Sequence, residues 1–230
     1  MEELIIDELL DKIIAGQFEQ GEPLPSENVL SRRYDVSRMM VRKAYDNLEE
    51  RGYIRSVKGK GRFLSDPKRH VQLSLRSDIS FTEKLKAMGA DFITHNLGAE
   101  PAQFNRKVWM TLGAEEREVV YSISLMRIIE AEPIAIHTSF LRLELFPDIS
   151  ERGRYITSMY SYLSEKGYAD FKSEHTTMNV TLPTLAEQSS LDCPSLVPLL
   201  LLEYETSSRG NDVIQYNKII YRGDRFKYSI

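Results

Sequence analysis

Apolar residues near the N-terminus follow a helical spacing over one short segment. Val29, Leu30 and Tyr34 fall on one face of a helix whose N-terminus Ser26 can cap with its hydroxyl. Asp35 follows, and Asp tolerates left-handed or bridge backbone angles better than most residues other than glycine. The pattern therefore predicts a short amphipathic helix that ends in a tight turn.

A second helical segment comes directly after this turn. Ser37 can cap its N-terminus, and Gly52 follows its last turn. Its apolar positions have the spacing of a buried stripe: Val41, Ala44, Tyr45 and Leu48. With that stripe facing a core, Arg38 and Arg42 project together from another face near the helix N-terminus. In helix-turn-helix proteins, these positions enter the major groove of DNA.

Two short segments with strand character, residues 53–57 and 62–64, flank Gly59, Lys60 and Gly61. The glycines supply the backbone angles of a turn, so the pattern predicts a short basic hairpin with Lys58 beside its tip. Such a hairpin can lie close to phosphates or enter a minor groove. A nucleotide-binding phosphate loop is disfavoured, because the G-x-x-x-x-G-K-[ST] spacing is missing. The two helices and the hairpin together predict a winged helix-turn-helix.

Beyond residue 65, alternation replaces much of the helical spacing. Residues 66–77 are mostly polar, which predicts a linker between a first domain at 1–65 and a second at 78–230. Strands are predicted at 119–129, 134–141, 176–182, 199–206 and 213–221, and helices at 81–88, 156–166 and 185–191. The predicted fold class is therefore α+β, with an antiparallel sheet and flanking helices in the second domain.

The charge distribution supports a DNA-binding first domain. Residues 31–64 hold ten Lys and Arg against four Asp and Glu, whereas residues 1–30 hold one Lys against eight acids, and the whole chain carries −4. The basic surface is therefore local, as expected for a duplex-binding module attached to a body with another task. A run of charges usually indicates only a solvated, salt-bridged face. Here it coincides with two capped helices and a glycine hairpin, which favours DNA.

Several function classes find little support in the composition. One Cys, Cys193, excludes an internal disulfide framework, and no apolar run approaches the length of a membrane span. No basic leader precedes an apolar segment, so we expect a cytoplasmic protein that does not associate with membranes. We expect no metal, no cofactor and no catalysis, because the four histidines lack metal-ligand spacing and are interpreted as structural or exposed: His70, His95, His137 and His175.

Residues 3–64 resemble the GntR family of bacterial transcription regulators. The shared motifs are Leu-Pro-Ser-Glu at 24–27, Val-Ser-Arg at 36–38 with the helix that follows, Gly52-Tyr-Ile, and the Gly-Lys-Gly hairpin. The resemblance implies that Arg38 and Arg42 contact bases or nearby phosphates, that Ser37 and Lys43 support phosphate contacts, and that Gly61 approaches the minor groove. The complete set of predicted DNA-binding residues is Ser26, Ser37, Arg38, Met40, Arg42, Lys43, Lys58, Lys60, Gly61 and Arg62.

Two residues depart from the GntR pattern. Met40 stands where the family usually has a Thr, and Arg62 replaces the Thr or Ser that commonly follows the hairpin glycine. Methionine can contact a thymine methyl group but cannot donate a hydrogen bond. We therefore expect an operator sequence that differs from those of better matched relatives.

The second domain resembles the effector-binding domain of the HutC branch of GntR regulators, called UTRA, which has a chorismate-lyase-like fold. The resemblance rests on residues 80–83 with Gly89, the strand pair 120–129 and 133–140, residues 158–160 and residues 221–225. It implies an effector pocket formed by Ser80, Phe81, Thr82, Arg127, His137, Ser158, Tyr160 and Tyr221. Ser80 with Glu83 has the spacing of a capping box as well as of an anion site, and both interpretations stay open, as they do for Ser158.

The predicted pocket also departs from its family. Leu125 replaces the first Arg of the usual Arg-Leu-Arg, so that only Arg127 remains, and His137 occupies a position where many relatives carry a sugar-binding Glu. Arg127 either faces inward towards an anionic group or is a surface charge on an edge strand. Tyr221 either closes the pocket or stabilises the last hairpin. The effector class stays open among sugar phosphates, sugars and small carboxylates.

Together, these patterns predict a ligand-responsive transcription regulator, a repressor that binds a pseudo-palindromic double-stranded DNA operator as a homodimer. A small metabolite in the second domain would change the affinity for the operator. Two alternatives are a lyase-like enzyme fused to a DNA-binding domain and a constitutive DNA-binding protein without an effector. Turnover of a bound metabolite would support the first, and indifference to every small molecule the second.

Overall fold

A computed structural model describes residues 1–65, 71–74, 92–208 and 212–229 of the chain. These residues form two compact units. In its described part, the first unit contains residues 1–65 and 182–198, and the second contains residues 71–74, 92–181, 199–208 and 212–229. Each unit has its own hydrophobic core.

Three helices, α1 (Glu2–Ile14), α2 (Glu27–Tyr34) and α3 (Arg38–Glu50), form the body of the first unit. The side-chain oxygens of Ser26 and Ser37 accept hydrogen bonds from backbone N–H groups in the first turns of α2 and α3, at 3.4 and 3.3 Å. Asp35 between the helices has a left-handed backbone, with φ at 52°. These contacts confirm both predicted caps and the predicted turn. The sequence could predict them because all three depend on local chemistry.

Apolar side chains from all three helices meet in one core. The stripe predicted on α3 is buried, and α1 adds an apolar face that packs against it. The fully buried members of this core are Ile5, Leu9, Leu30, Val41, Ala44, Tyr45, Leu48 and Ile54. The stripe orients α3, so that Arg38 and Arg42 lie on its exposed side.

The predicted hairpin consists of β1 (Ile54–Val57) and β2 (Gly61–Leu64), which pair in antiparallel fashion. Gly59 and Gly61 at its tip have φ values of 76° and 112°, which side chains rarely allow. The backbone N–H of Leu24 donates to the carbonyl oxygen of Arg62 at 2.7 Å, which ties the segment before α2 to the hairpin.

Residues 182–198 belong to the first unit, although they lie between two strands of the second unit's sheet in the sequence. They contain the predicted helix at 185–191, here α7 (Leu185–Leu191), which Thr184 and Glu187 close with a capping box. Val197 is fully buried, and the N–H of Leu196 donates to the carbonyl oxygen of Glu50 at 3.2 Å. The predicted second domain, 78–230, contained residues 182–198. Their place in the first unit depends on contacts across about 140 residues, which no local pattern encodes.

A six-stranded antiparallel sheet forms the centre of the second unit, in the order β4-β5-β6-β9-β8-β7. Its strands are β4 (Phe92–Pro101), β5 (Val120–Ile129), β6 (Glu132–Arg142), β7 (Lys172–Thr181), β8 (Leu199–Ser207) and β9 (Val213–Arg222). Five of them correspond to the predicted strands. The sequence did not indicate β4, whose Asn96 and Gly98 are typical of a turn but here lie at a β-bulge.

A separate parallel pair joins β3 (Val71–Ser74) to β10 (Phe226–Ser229). β3 falls within the linker predicted at 66–77, so part of that segment is ordered by the chain's C-terminal end. This pairing joins residues more than 150 positions apart, and local polarity therefore does not predict it.

Short helices cover the two faces of the sheet. α4 (Arg106–Thr111), which was not predicted, packs against one face with Trp109 in its core. α5 (Ile149–Arg152), a 3-10 turn (Gly153–Tyr155) and α6 (Met159–Glu165) pack against the other face, where one helix was predicted at 156–166. The helix predicted at 81–88 lies outside the described residues. The observed class is α+β, as predicted.

Candidate functional site

A groove of about 670 Å³ runs along the first unit between the N-termini of α2 and α3 and the hairpin. Of the predicted DNA-binding residues, it brings together Ser26, Arg38, Lys60, Gly61 and Arg62. The remaining predicted residues, Ser37, Met40, Arg42, Lys43 and Lys58, lie in the same unit but do not line the groove. All of these ten except Met40 and Arg62, which are partly buried, are exposed.

Arg38 and Arg42 lie on the exposed side of α3, with side chains 62% and 49% exposed. Arg42 donates from Nε and Nη2 to the two carboxylate oxygens of Glu27 at 3.1 and 3.2 Å, and Arg38 lies 3.9 Å from the same carboxylate. The hydrogen bond from Arg42 lowers the pKa of Glu27, which therefore stays ionised at neutral pH. Glu27 thus holds Arg42 in a fixed orientation at the surface.

Arg62 turns its guanidinium group towards α3. It forms ion pairs with Asp46 at 2.6 Å and with Glu49 at 2.9 Å, and its carbon Cζ lies 5.2 Å from the ring centre of Tyr45. Arg62 was among the predicted DNA-binding residues, whereas its side chain is only 15% exposed. Its partners lie 13 and 16 residues away in the sequence, so the hairpin pattern could not indicate them.

Nine groove residues were not among the predicted DNA-binding set, and two of them, Glu27 and Asn28, lie in the first turn of α2. Asn28, in the first turn of α2, is exposed and lines the same groove as Arg38. In the sequence, Glu27 was only the last residue of the Leu-Pro-Ser-Glu motif; in the structure, its carboxylate is shared by Arg38 and Arg42. The position of both residues directly after the capping Ser26 was the available signal, because a helix N-terminus that faces a groove presents its first turn there.

Arg127 is buried on β5, with 3% of its surface exposed. Its Nη1 donates to Oγ1 of Thr94 and to the carbonyl oxygen of Thr157, the latter at 3.3 Å. Burial lowers its pKa to about 10, so the side chain remains a cation at neutral pH. Since β5 lies between β4 and β6, the alternative of a surface charge on an edge strand is wrong.

His137 and Tyr221 lie on the same face of the sheet as Arg127. Arg127 is opposite Ala135, and Ala135 is opposite Tyr221, while His137 is two residues further along β6. Tyr221 is buried and packs edge-on against Phe226, with ring centres 4.9 Å apart. The structure therefore brings together three residues of the predicted effector set.

His137 belongs to a chain of buried hydrogen bonds. Its Nε2 lies 2.9 Å from Oδ1 of Asn217, which also accepts from the hydroxyl of Ser139 at 3.1 Å. Nδ2 of Asn217 donates to Thr206 at 2.9 Å. Burial lowers the pKa of His137 to about 4, so the imidazole is neutral at pH 7. It therefore adds a polar but uncharged group to the face that carries Arg127.

The remaining predicted effector residues are less central. The hydroxyl of Ser158 accepts from the backbone N–H of Ser161 at 3.3 Å, which is the structural role that the sequence left open. Tyr160 is half exposed and packs edge-on against Phe171. Ser80, Phe81 and Thr82 lie outside the described residues.

Within the described ranges, no group of three or more His, Cys, Asp or Glu side chains is placed to hold a metal ion. In that same part of the chain, no helix is long and apolar enough to cross a membrane.

Two family models match the chain. The model of bacterial regulatory proteins of the gntR family matches residues 2–64, and the UTRA domain model matches residues 87–227. Apart from residues 80–83, which precede the second match, the two matches cover the motifs that carried the two resemblances, and both resemblances are confirmed.

The similarity to known proteins covers nearly the whole chain. The transcriptional repressor NagR of Bacillus subtilis is 26% identical over 97% of this chain and 91% of its own length. The mannosyl-D-glycerate transport/metabolism system repressor MngR of Escherichia coli is 25% identical over 98% and 93%. The crystal structure of PhnF from Mycobacterium smegmatis shares the fold, with a TM-score of 0.64 at 21% identity over 98% of this chain and 97% of that one. The chain belongs to the UTRA family, and its UTRA domain follows a DNA-binding domain of the gntR family of bacterial regulatory proteins.

Proposed function

We propose that this DNA-binding transcription regulator contacts its operator through α3 and the hairpin, with Arg38 and Arg42 as the main contacts. The observation that carries the proposal is their half-exposed position at the N-terminal end of α3, beside a groove that the hairpin borders. A bidentate Arg contact to guanine contributes about 1 to 3 kcal/mol of discrimination between bases. Exposed Lys43, Lys58 and Lys60 would add phosphate contacts, which carry no sequence information.

Operator binding by purified variants tests this surface. Arg38→Ala and Arg42→Ala should each remove specific binding to a promoter fragment while circular dichroism shows an unchanged fold. Arg117→Ala is the matched control, because Arg117 is an exposed arginine of the second unit. Wild-type affinity in both α3 variants would contradict the proposal.

We infer that the regulator acts as a repressor and binds as a homodimer, in the cytoplasm where its operator lies. Two copies of a helix-turn-helix match the two half-sites of a pseudo-palindrome, which is the arrangement that such domains generally use. The names of NagR and MngR support repression. Sedimentation of the protein with a two-half-site duplex tests the stoichiometry: two chains per duplex support the inference, and one chain contradicts it.

We propose further that the second unit binds a small ligand with one anionic group, on the sheet face that carries Arg127. Arg127 would attract the anion, while neutral His137 and the hydroxyl of Tyr221 would contact hydroxyl groups. One arginine beside apolar Leu125 offers a single positive charge, which suits a ligand with one anionic group better than a ligand with several. MngR is named for mannosyl-D-glycerate, a sugar that carries one carboxylate, and this name supports the same class.

A thermal-shift panel identifies the ligand class, since a ligand that binds the folded state raises the melting temperature. The panel should contain sugar phosphates, sugar acids, neutral sugars and small carboxylates. Arg127→Ala should abolish the shift, and Arg127→Lys should retain part of it. Arg142→Ala is the matched control, because Arg142 lies on β6 and pairs with Glu118. An unchanged shift in Arg127→Ala would place the pocket elsewhere, and indifference to the whole panel would favour a constitutive DNA-binding protein.

A further inference from the structure

Arg62, on the second strand of the hairpin, makes its contacts with α3. Its Nη2 and Nη1 reach the carboxylates of Asp46 at 2.6 Å and Glu49 at 2.9 Å. The guanidinium lies over the ring of Tyr45, which is buried in the core of the first unit. Arg62 therefore joins the hairpin to a fixed part of α3 through two charged hydrogen bonds and a ring contact.

Glu49 holds the other strand of the same hairpin. One carboxylate oxygen accepts from the backbone N–H of Ser56 at 2.7 Å, and the other accepts from the Ser56 hydroxyl at 2.7 Å. Ser56 and Arg62 are directly opposite each other in the hairpin. The Glu49 carboxylate on α3 thus binds both strands of the hairpin at one pair of opposite residues, next to the tip.

The hairpin depends on such a tie because it is short. Each strand has four residues, and an isolated two-stranded hairpin is at best marginally stable in water. Residues 58–61 beyond the tie are exposed. The contacts at Ser56 and Arg62 therefore help to set the position of Lys58 and Lys60 relative to Arg38, together with the hydrogen bond from the Leu24 N–H to the carbonyl oxygen of Arg62.

The charge around Arg62 is unlike that of a phosphate contact. Asp46 and Glu49 bind its guanidinium, and a third carboxylate, of Glu27, lies 3.8 Å away. A DNA phosphate approaching this group would meet these three carboxylates at the same time. Arg62 is thus already neutralised, whereas Lys58 and Lys60 are exposed.

We propose that Arg62 and Glu49 form a clasp that positions the hairpin against α3 for DNA binding, and that Arg62 does not contact DNA itself. The clasp consists of Arg62, Glu49, Ser56 and Asp46. It keeps the exposed lysines of the tip at a fixed distance from the arginines of α3, so that both can engage one duplex. Since this inference rests on the proposed DNA-binding surface, that surface is tested in parallel with Arg38→Ala.

Salt dependence of operator binding separates a positioning residue from a DNA-binding one. The logarithm of the binding constant falls with the logarithm of the salt concentration, with a slope of about −0.9 for each phosphate that a cationic side chain neutralises. Arg62→Ala should weaken operator binding by about tenfold, because a released hairpin must be ordered when DNA binds, and should leave the slope unchanged. Lys60→Ala, the control at the tip, should make the slope less steep by about 0.9, because one phosphate is then no longer neutralised.

Glu49→Gln gives the sharper test. Removing a negative charge near DNA strengthens binding if charge alone matters, whereas release of the clasp weakens it. We expect Glu49→Gln to weaken operator binding, and the double variant Arg62→Ala/Glu49→Gln to lose less than the two single losses combined, because the single variants both remove the contact between Arg62 and Glu49. Glu50→Gln is the control, because Glu50 is the exposed acidic neighbour of Glu49 at the end of α3.

Several results would overturn the clasp. They are a smaller salt slope in Arg62→Ala, tighter binding by Glu49→Gln, or unchanged binding in Arg62→Ala while Arg38→Ala abolishes binding; the last of these leaves the DNA-binding surface intact. Unchanged binding in Arg38→Ala contradicts the surface itself. Circular dichroism and thermal melting of each variant identify unfolding, and if Arg62→Ala unfolds, Glu49→Gln alone decides.

Discussion

The first unit keeps at its surface the arginines that we propose as DNA contacts, whereas the second unit buries the arginine that we propose for ligand binding. Arg38 and Arg42 are half exposed and share the carboxylate of Glu27, so they can exchange one anionic partner for another. Arg127 is 3% exposed and contacts the neutral oxygens of Thr94 and Thr157. An exposed cation is suited to a large polyanion, and a buried one to a small anion that can be enclosed. Under the two proposals, the units would thus use the same side chain for partners of different size.

The largest expected effect is the loss of unfolding free energy when a buried side chain is removed from the core of one unit. Leu48→Ala removes a fully buried side chain from the core of the first unit and should cost about 2 to 5 kcal/mol of unfolding free energy. Operator binding should disappear with it. Leu141→Ala is the counterpart in the second unit, where Leu141 is equally buried, and should instead impair the response to ligand.

Urea unfolding measures both variants. The chain's single tryptophan, Trp109, lies in the second unit, so its fluorescence follows that unit. Fluorescence unfolding should shift strongly in Leu141→Ala and little in Leu48→Ala. An equally large shift in both variants would show that the two units unfold as one, and would remove the basis for comparing them.

The buried polar groups of the second unit predict a pH dependence. The folded state holds His137 at a pKa of about 4, below the usual value of about 6.5, so the unfolded state binds the proton more readily. As far as His137 is concerned, the free energy of unfolding is therefore highest above about pH 6.5 and falls as the pH drops towards 4. Between pH 7 and pH 5, wild type should lose about 2 kcal/mol through this group.

Urea unfolding at the two pH values, followed by Trp109 fluorescence, measures this loss. In His137→Gln the pH-dependent part should disappear, although the variant is less stable at pH 7 because the contact with Asn217 changes. His95→Gln is the control, since His95 is exposed on β4. A pH response in His137→Gln equal to that of wild type would exclude His137 as its source.

Local patterns predicted what local chemistry determines. Ser26, Ser37 and Asp35 act within one helical turn, and the spacing of Arg38 and Arg42 is a property of a single helix. The contacts of Arg62 with Asp46 and Glu49, and of His137 with Asn217, join residues 13 to 80 positions apart. Such partners depend on strand register and on how the hairpin packs against α3. The sequence therefore indicated Arg38 and Arg42, the proposed DNA contacts, as exposed residues of one helix, but it did not indicate the long-range partners that orient Arg62 and His137.

The tight turns of the two units also differ, and this gives the smallest expected effect. The hairpin of the first unit has Gly59 and Gly61 where φ is positive, whereas the turn from β5 to β6 has Glu130 and Ala131 at φ values of 51° and 65°. A residue with a side chain is strained there by about 1 to 2 kcal/mol. Ala131→Gly should relieve this strain, partly offset by the greater freedom of glycine in the unfolded chain, for a net gain of about 0.5 to 1 kcal/mol. Ala15→Gly, at an ordinary φ of −74°, should give no gain. The urea midpoint of Trp109 fluorescence measures the change in Ala131→Gly, and circular dichroism measures Ala15→Gly, because Ala15 lies in the first unit. A lower midpoint in Ala131→Gly would show that the turn is not strained.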